Sequence, residues 1–209
     1  SSFGLQDGRP GPRFPGALES ALDESLAIYL GCFGAPAAAA LMDALQASGV
    51  ARFVMVGQAG AISPRLAIGD LFLPTWGVRE EGTSYHYLPA EHTCRASEEL
   101  LAVVKGYLAG IEVVEGGIWT TDALFRETRE KARILAEGDA LAVEMECTAL
   151  MAVAAYRDVH FAAALVITDE LLSGKWVEGF RSDEVAQSQG HLCQALAEGF
   201  RQRGRFSKG

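Results

Sequence analysis

The chain has 209 residues, of which 49% are hydrophobic, and this is enough for one domain with a substantial core. Its formal net charge of −9 argues against nucleic acid as a partner, because contacts to phosphates need clustered cations. No apolar run approaches the length of a membrane span, so we expect no membrane partner. The cysteines lie far apart with no CxxC pair, which indicates reduced thiols in a cytoplasmic protein rather than disulfides or a metal site. They are Cys32, Cys94, Cys147 and Cys193.

The first part of the chain predicts a leader followed by a strand and a helix. Residues 1–16 are rich in Gly, Pro and Arg without periodicity, so we expect a disordered leader and one domain over 17–209. Residues 27–30 form an apolar strand that ends in a Gly-rich turn. The next helix, 36–47, begins with Pro at a first-turn position and stops before Gly49. Such a strand–turn–helix unit offers backbone N–H groups to an anion, although any parallel α/β protein has similar turns.

Two further strands are predicted before residue 80. Residues 52–56 form a buried strand that a turn at 57–60 closes, and a third strand begins at Leu71. The polar and aromatic run 78–87 is more typical of a site wall than of a core strand. It contains Arg79 and His86, and the histidine has either a functional or a purely structural role.

A helix over 98–108 and a strand over 112–119 come next. The strand leads into 120–129, where small hydroxyls, an acid, an aromatic ring and two arginines follow each other. Such a composition favours a binding segment, with a capped helix start as the alternative. The candidates here are Thr120, Thr121 and Phe125.

The stretch 142–150 joins a short apolar strand to a helix that begins at Glu146. Glu144 and Glu146 therefore lie at a helix N-terminus, where free N–H groups and the helix dipole favour the ionised carboxylate. An ionised carboxylate accepts hydrogen bonds and can take both hydroxyls of a ribose 2′,3′ diol. We expect one glutamate in the site and the other in the scaffold. The alternative is that both only stabilise the helix.

The last third predicts a strongly apolar strand over 160–167, followed by Thr168, Asp169 and Glu170, and a final helix over 183–203. Strands that alternate with helices, several of them continuously apolar, predict a single α/β domain with helices on both faces of a central sheet. In such folds the ligand lies at the carboxyl ends of the strands. The polar clusters after residues 57, 119, 143 and 167 all follow predicted strand ends.

These segments together resemble the nucleoside phosphorylase superfamily, which includes hexameric purine nucleoside phosphorylases, uridine phosphorylases and methylthioadenosine nucleosidases. The matching motifs occur in order and at family spacing: Gly-Gln-Ala-Gly at 57–60, Gly-Asp at 69–70, Thr-Asp at 121–122, Val-Glu-Met-Glu at 143–146 and Thr-Asp at 168–169. The resemblance covers about residues 27–203. Segment 78–87 is similar to the uridine phosphorylase branch, whereas 169–180 is closer to certain purine enzymes.

The resemblance implies a mixed, mostly parallel sheet flanked by helices, and roles for several residues. Glu146 would hold the ribose hydroxyls, with Met145 beneath the sugar. Asp169 would share or donate a proton at purine N7 as the base departs, and Asp instead of Asn here favours a purine. The family needs no metal or organic cofactor, and its members form homodimers or trimers of dimers in which a neighbour completes the site.

Three departures from the family concern phosphate and the base. Met55 and Gln58 stand where the phosphorylases have Arg and Ser or Thr as phosphate ligands, close to Gly60. We also expect no counterpart of the family's first phosphate loop. Leu124 replaces the aromatic residue that stacks on the base, with Phe125 beside it. Phosphate is therefore only a possible co-substrate, with Arg79 or Arg126 as candidate replacement cations.

Three functions follow from these observations. The first is phosphorolysis of a nucleoside, with purine favoured, to free base and sugar 1-phosphate. The second is hydrolysis of the same bond by water. The third is a catalytically silent protein that binds nucleosides. Retention of Glu146 and Asp169 supports the first two, whereas the loss of phosphate ligands supports the last two.

Overall fold

The computed structural model describes residues 9–10, 18–23, 26–31, 33–171 and 176–206. Within these residues the strands are β1 (Arg9–Pro10), β2 (Leu18–Asp23), β3 (Leu26–Tyr29), β4 (Arg52–Ala61), β5 (Leu71–Glu80), β6 (Cys94–Arg95), β7 (Val114–Thr121), β8 (Ala140–Glu144), β9 (His160–Glu170) and β10 (Val177–Glu178). The α-helices are α1 (Ala35–Gln46), α2 (Glu98–Tyr107), α3 (Arg129–Glu137), α4 (Cys147–Arg157) and α5 (Asp183–Phe206). Two 3-10 helices, Ser84–His86 and Leu124–Arg126, complete the element order.

The first three strands form a small antiparallel sheet in the order β1-β2-β3. The predicted leader falls mainly on residues 1–8 and 11–16, which lie outside the described residues. The two described residues of that segment, Arg9–Pro10, pair with β2. The predicted strand at 27–30 is present as β3, displaced by one residue.

The main sheet has the order β10-β9-β4-β8-β7-β5-β6. Its long pairings are parallel, namely β4 with β9, β5 with β7 and β7 with β8. The start of β5 also pairs with β9, antiparallel, at Leu71 and Phe72, so the sheet curls until two of its strands meet. The prediction of a mixed α/β domain whose central sheet is flanked by helices is confirmed.

The helices pack on this sheet in two groups. Helix α1 packs against α4, and α4 contacts β5, β7 and β9, whereas α2 packs against α5 and β9. Nearly every side chain of β9 is buried, which explains its continuous apolar run in the sequence, and α4 is buried from Cys147 to Ala154. No helix among the described residues has the length and apolarity that a membrane crossing requires.

Residues 57–60, predicted as a turn, instead lie inside strand β4. The ladder between β4 and β9 continues through this segment, with Gly57 opposite Leu165 and Gly60 opposite Asp169. Packing favours glycine at position 60, because a Cβ there would lie 3.0 Å from the Asp169 carboxylate, which is closer than most Cβ contacts. The sequence signal for a turn was therefore a signal for close approach of a strand to a side chain.

Helix α3 is an element that the sequence left only as an alternative. Thr128 is its N-cap, and the Thr128 hydroxyl accepts a hydrogen bond from the Lys131 backbone N–H. The helix is short and polar, with Ala132 as its buried residue. Its apolar stripe is therefore too narrow to be recognised by periodicity.

Candidate functional site

Glu144 ends strand β8 and caps the helix that follows it. Its carboxylate accepts hydrogen bonds from the backbone N–H of Glu146 at 2.6 Å and of Cys147 at 2.8 Å, both at the start of α4. The Thr120 hydroxyl donates a third, at 2.6 Å. The Glu144 side chain is buried, so these bonds fix the junction between strand and helix. This geometry assigns Glu144 to the scaffold and gives no support to the predicted substrate contact.

Glu146 is the N-cap residue of α4 and is only partly buried. Its Oε1 atom accepts a hydrogen bond from the Gly34 backbone N–H, at 2.5 Å. Gly34 precedes helix α1 and has a φ of 87°, in the left-handed region that glycine adopts without strain. The Gly-rich turn therefore orients one oxygen of Glu146, and hydrogen bonds with the Glu144 side chain and the Met145 backbone also lower the pKa of Glu146.

Burial acts against the ionised form of both glutamates. It raises the pKa of Glu144 to about 7, although the hydrogen bonds from Thr120 and the helix N-terminus lower it. Burial also raises the pKa of Glu146, against the bond from Gly34. The sequence predicted that the helix N-terminus would keep these groups ionised, and this expectation is corrected because desolvation outweighs the N–H groups.

Asp169 lies on β9 with 8% of its surface exposed. Its Oδ2 atom accepts a hydrogen bond from the Trp176 indole N–H at 2.7 Å, and Oδ1 accepts one from the Thr168 hydroxyl at 3.1 Å. Burial raises the pKa of Asp169, whereas these two bonds lower it. The carboxyl is consequently oriented from both sides and holds a proton more readily than a solvated aspartate does.

Strand β4 brings the two carboxyl-bearing segments together. Gly60 is opposite Val143 of β8 on one side and opposite Asp169 of β9 on the other. The two flanking strands are therefore two strand spacings apart, which is roughly 10 Å. Gly60 carries no side chain that could fill the space between them. Val143, three residues before Glu146, and Asp169 thus lie on either side of one bare backbone position.

The two predicted threonines have structural partners. The Thr120 hydroxyl donates to Glu144 and accepts a hydrogen bond from the Thr148 backbone N–H at 3.1 Å. Thr121 is buried, and its hydroxyl accepts a bond from the backbone N–H of Ala123 at 3.2 Å. Thr120 therefore stabilises the start of α4 and Thr121 the exit of β7, and their predicted contacts with a substrate stay predictions.

Arg79 holds a loop together and does not offer a free cation. Its Nη1 donates to the carbonyls of Pro89 at 2.6 Å and His92 at 3.1 Å, and its Nη2 donates to the carbonyl of Leu88 at 2.8 Å. Its Nε donates to the Ser84 hydroxyl at 2.9 Å. These four hydrogen bonds engage four of the five N–H donors of the guanidinium. The expectation that Arg79 replaces the missing phosphate ligand is therefore corrected.

The remaining candidates lie around the edge of this region. Phe125 is 97% exposed in the 3-10 helix after β7, and its predicted role at the site stays a prediction. Gln58 is exposed on β4, and Met145 is partly buried beside Glu146. His86 is exposed at the end of a 3-10 helix.

A cavity with a volume of about 690 Å³ lies between helix α1 and the segment 82–87. It is lined by the first turns of α1, including Pro36, and by Gly82, His86, Tyr87 and Asp122. As far as the described residues show, its lining includes neither Glu146 nor Asp169. The cavity is open to solvent, whereas hydrogen bonds orient the carboxyl groups of Glu146 and Asp169.

Three contributors were not found from the sequence. Gly34 acts through its backbone N–H, and no residue type identifies such a donor. Trp176 was not among the predicted site residues. Glu127 follows the turn after β7 and is half-buried. Burial, and then the charges of Asp169 and Glu80, raise the pKa of Glu127 to about 7. Within the described part of the chain, no group of three or more metal-ligating side chains is present.

Comparison with known proteins places this geometry in a family. Over 156 residues, the chain is 27% identical to a guanosine phosphorylase of Halorubrum lacusprofundi, and the match covers 74% of this chain and 65% of the relative. Over 134 residues, it is 29% identical to a DeoD-type purine nucleoside phosphorylase of Bacillus cereus, covering 63% and 57%. The chain thus spans less than two thirds of the length of these relatives.

Two solved structures share the fold. A purine nucleoside phosphorylase from Toxoplasma gondii superposes with a TM-score of 0.81 at 16% identity, over 93% of this chain and 81% of that chain. An AMP nucleosidase from Bacteroides thetaiotaomicron gives 0.73 at 22% identity, over 96% and 82%. Residues 23–200 match the family described as the phosphorylase superfamily. The chain therefore belongs to the phosphorylase superfamily.

Proposed function

We propose that this protein cleaves the N-glycosidic bond of a purine nucleoside and releases the free base. The observation that carries the proposal is the register of β4, which puts the segments of Glu146 and Asp169 on either side of Gly60. A protein that binds a nucleoside needs one side chain that recognises the sugar and another that recognises the base. The named activities of the relatives, guanosine and purine nucleoside phosphorylase and AMP nucleosidase, all act on purine compounds, which supports the same substrate class here.

Glu146 recognises the sugar in this proposal. The Gly34 N–H orients one of its oxygens, and the other accepts hydrogen bonds from the ribose 2′ and 3′ hydroxyls. As the bond to the base breaks, the ribosyl group becomes cationic, and the carboxylate stabilises that charge. Met145 packs beneath the sugar, next to Glu146 in the chain.

Asp169 acts on the base. When the C1′–N9 bond breaks, its electron pair leaves with the purine, and a proton delivered to N7 neutralises the departing anion. Burial already favours the protonated form of Asp169. A pyrimidine has no N7 beside the leaving bond, so the same carboxyl gives purines an advantage.

Water is the nucleophile that this geometry favours over phosphate. Met55 brings neither charge nor donor, Gln58 offers only a neutral amide, and Arg79 is held by the loop carbonyls. Phosphorolysis, the activity named for two of the relatives, requires a site for a doubly charged anion among several carboxyl groups. Phosphorolysis remains the second candidate because those relatives carry it in their names.

We also propose a homo-oligomer, a dimer or a trimer of dimers, located in the cytoplasm. Tyr85 is 48% exposed next to His86, at the rim of the large open cavity, and aromatic residues are enriched at interfaces. Sedimentation at micromolar concentration should give a species larger than one chain. A monomer would count against this assembly.

A panel of nucleosides tests the function directly. Release of free base from guanosine, inosine, adenosine, AMP and uridine is measured with and without phosphate, and the sugar product is identified. Base release that does not depend on phosphate, with free ribose as the other product, supports hydrolysis. Saturable dependence on phosphate, with ribose 1-phosphate as product, supports phosphorolysis. Preference for uridine, or binding of ribonucleosides without any cleavage, would refute the proposed activity.

A further inference from the structure

The open cavity between helix α1 and segment 82–87 has a volume of about 690 Å³, which is in the range of small-molecule binding sites. Helix α1 forms one wall, and Gly82 and Asp122 belong to the opposite one. The Gly82 backbone N–H donates to Oδ2 of Asp122 at 2.8 Å. Because Gly82 lies two residues after β5 and Asp122 directly follows β7, this bond ties the ends of the two strands together at the cavity.

The strand register places the cavity on the far side of Glu146 from Asp169. Asp169 pairs with Gly60, and Gly60 pairs with Val143 near the end of β8. On the other side of β8 comes the end of β7, and then the end of β5. The pairing of β5 with β9 involves only the first two residues of β5 and leaves this order intact. The junction of β8 and α4, which carries Glu146, therefore lies between Asp169 and the two segments that bound the cavity.

Helix α1 connects the cavity to Glu146. The Gly34 N–H donates to Oε1 of Glu146 at 2.5 Å, and Pro36, two residues further along the chain, lines the cavity. Because two residues of chain span at most about 7 Å, the wall of the cavity begins within about 10 Å of the Glu146 carboxylate. A ligand held by Glu146 can therefore reach the cavity.

A ribose bound through its 2′ and 3′ hydroxyls has a defined direction. The base is attached to C1′ and the 5′ carbon to C4′, and these two ring atoms flank the C2′–C3′ bond on opposite sides. When the diol is at Glu146 and the base points to Asp169, the 5′ carbon points away from Asp169. The strand order puts the cavity in that direction.

The charges around the cavity are unfavourable for an anion. Asp43 accepts hydrogen bonds from Nε of Arg157 and from the Tyr87 hydroxyl, both at 2.8 Å, and the bond from Arg157 lowers the pKa of Asp43. The negative charge of Asp43 is therefore offset by Arg157. Asp122 has no Lys or Arg partner within the described part of the chain. Over the residues that the structure describes, neither Lys nor Arg lines the cavity.

We propose that this cavity receives the 5′ end of the substrate and selects a nucleoside with an uncharged 5′ group over the corresponding nucleotide. The inference rests on the proposed function. A 5′ hydroxyl donates a hydrogen bond to Asp122, whose side chain the Gly82 N–H orients. A 5′-phosphate is repelled, because two negative charges about 6 Å apart near a protein surface weaken binding by roughly ten- to a hundredfold. The relatives include a guanosine phosphorylase and an AMP nucleosidase, so membership of the superfamily leaves this choice open.

A comparison of adenosine with AMP tests the inference. Dissociation constants and kcat/KM are measured at pH 8, where histidine side chains are largely uncharged. Wild-type protein should prefer adenosine by about tenfold or more, and Asp122→Asn, which removes the charge and keeps an acceptor for the Gly82 N–H, should shrink this preference by about tenfold. Asp158→Asn is the matched control. It removes the same charge at the exposed C-terminal end of α4, outside the cavity lining, and should leave the preference unchanged.

Two further variants keep the test decisive if Asp122→Asn folds poorly. His86→Lys adds a cation to the lining, so binding of AMP relative to adenosine should rise by about tenfold. Ala40→Phe narrows the cavity without changing its charge. The uncharged compound 5′-O-benzyladenosine should be cleaved by wild-type protein, and Ala40→Phe should reduce its kcat/KM much more than that of adenosine.

The possible results separate this inference from the proposed function. Equal affinity of wild-type protein for adenosine and AMP, or the same change of preference in Asp122→Asn and Asp158→Asn, would overturn the inference while cleavage of adenosine still supports the proposed function. If wild-type protein binds adenosine and cleaves neither compound, the proposed function is wrong, and the ratio of the two dissociation constants still decides the selection at the 5′ end. Binding of neither compound would overturn both.

Discussion

Replacing Glu144 with glutamine should change how the stability of the fold depends on pH. Burial raises the pKa of this carboxyl from 4.5 to about 7, so the native state binds its proton more tightly than the unfolded chain does. Between these two values the native state carries more protons, and the free energy of unfolding falls as the pH rises. Glutamine has the same shape as the protonated carboxyl and cannot ionise.

The size of the effect follows from the two pKa values. Linkage gives a loss of about 2 kcal/mol of stability from Glu144 alone between pH 5 and pH 7. At pH 5, Glu144→Gln should cost about 1 kcal/mol, because the amide replaces the carboxyl in the hydrogen bond with Thr120 less well. At pH 8 the loss of stability caused by Glu144→Gln should shrink or reverse, because the wild-type protein then buries an ionised carboxylate. Glu146, Asp169 and Glu127 contribute a slope of the same sign in both proteins.

Urea denaturation at pH 5, 6, 7 and 8 measures the difference. Glu137→Gln is the matched control, because Glu137 is an exposed residue of α3 paired with Arg133 and should leave the slope unchanged. The reasoning would be refuted if wild-type and Glu144→Gln stabilities changed in parallel with pH. A wild-type stability that rises from pH 5 to pH 7 would refute it equally.

Other substitutions separate the site from the scaffold. Glu146→Gln should lower kcat/KM for guanosine by about ten- to a hundredfold while the melting temperature is retained, because a charged hydrogen bond to the ribose is lost; Glu144→Gln, measured beside it, should affect turnover less. Asp169→Asn should remove most of the rate on purine nucleosides, and steady-state kinetics that match wild type would contradict the role in leaving-group protonation. Arg79→Lys should lower the melting temperature, since one ammonium cannot reach all three loop carbonyls, and the dependence of the rate on phosphate should stay as in wild type. A selective rise in the KM for phosphate would restore Arg79 as an anion ligand.

The alternation of predicted strands with predicted helices was sufficient to predict the α/β architecture. Strand β9 is buried along almost its whole length, so its continuously apolar sequence was recognised, whereas α4 was recognised from the helical spacing of its apolar residues. The segment 57–60 was misassigned because glycine usually marks turns, whereas Gly60 is there to let a strand pass close to the Asp169 carboxyl. Local sequence cannot distinguish these two uses of glycine, since the second depends on a residue more than a hundred positions away.

The sequence predicted candidate site residues only where the side chain itself would carry the chemistry, and it could not predict contacts made by the backbone. The roles of Glu146 and Asp169 were predicted because the segments around them resemble the nucleoside phosphorylase superfamily, and these roles stay predictions. The engagement of Arg79 could not be predicted, because its partners are backbone carbonyls of Leu88, Pro89 and His92, which any residue type would supply. The desolvation that raises the pKa of Glu144 could not be predicted from the sequence either, because it depends on the complete packing around α4.

The contact between the Gly34 N–H and Glu146 has a consequence for how this protein tolerates mutation. A backbone donor cannot be deleted by changing a side chain, so most substitutions in the turn leave it intact. Gly34 is the exception, because its φ of 87° strains any residue with a Cβ even though the space around it is open. In a saturation screen that compares ribonucleosides with 2′-deoxyribonucleosides, a residue with no side chain would therefore register as a determinant of sugar selectivity. Engineering of the sugar preference would begin at the conformation of that turn.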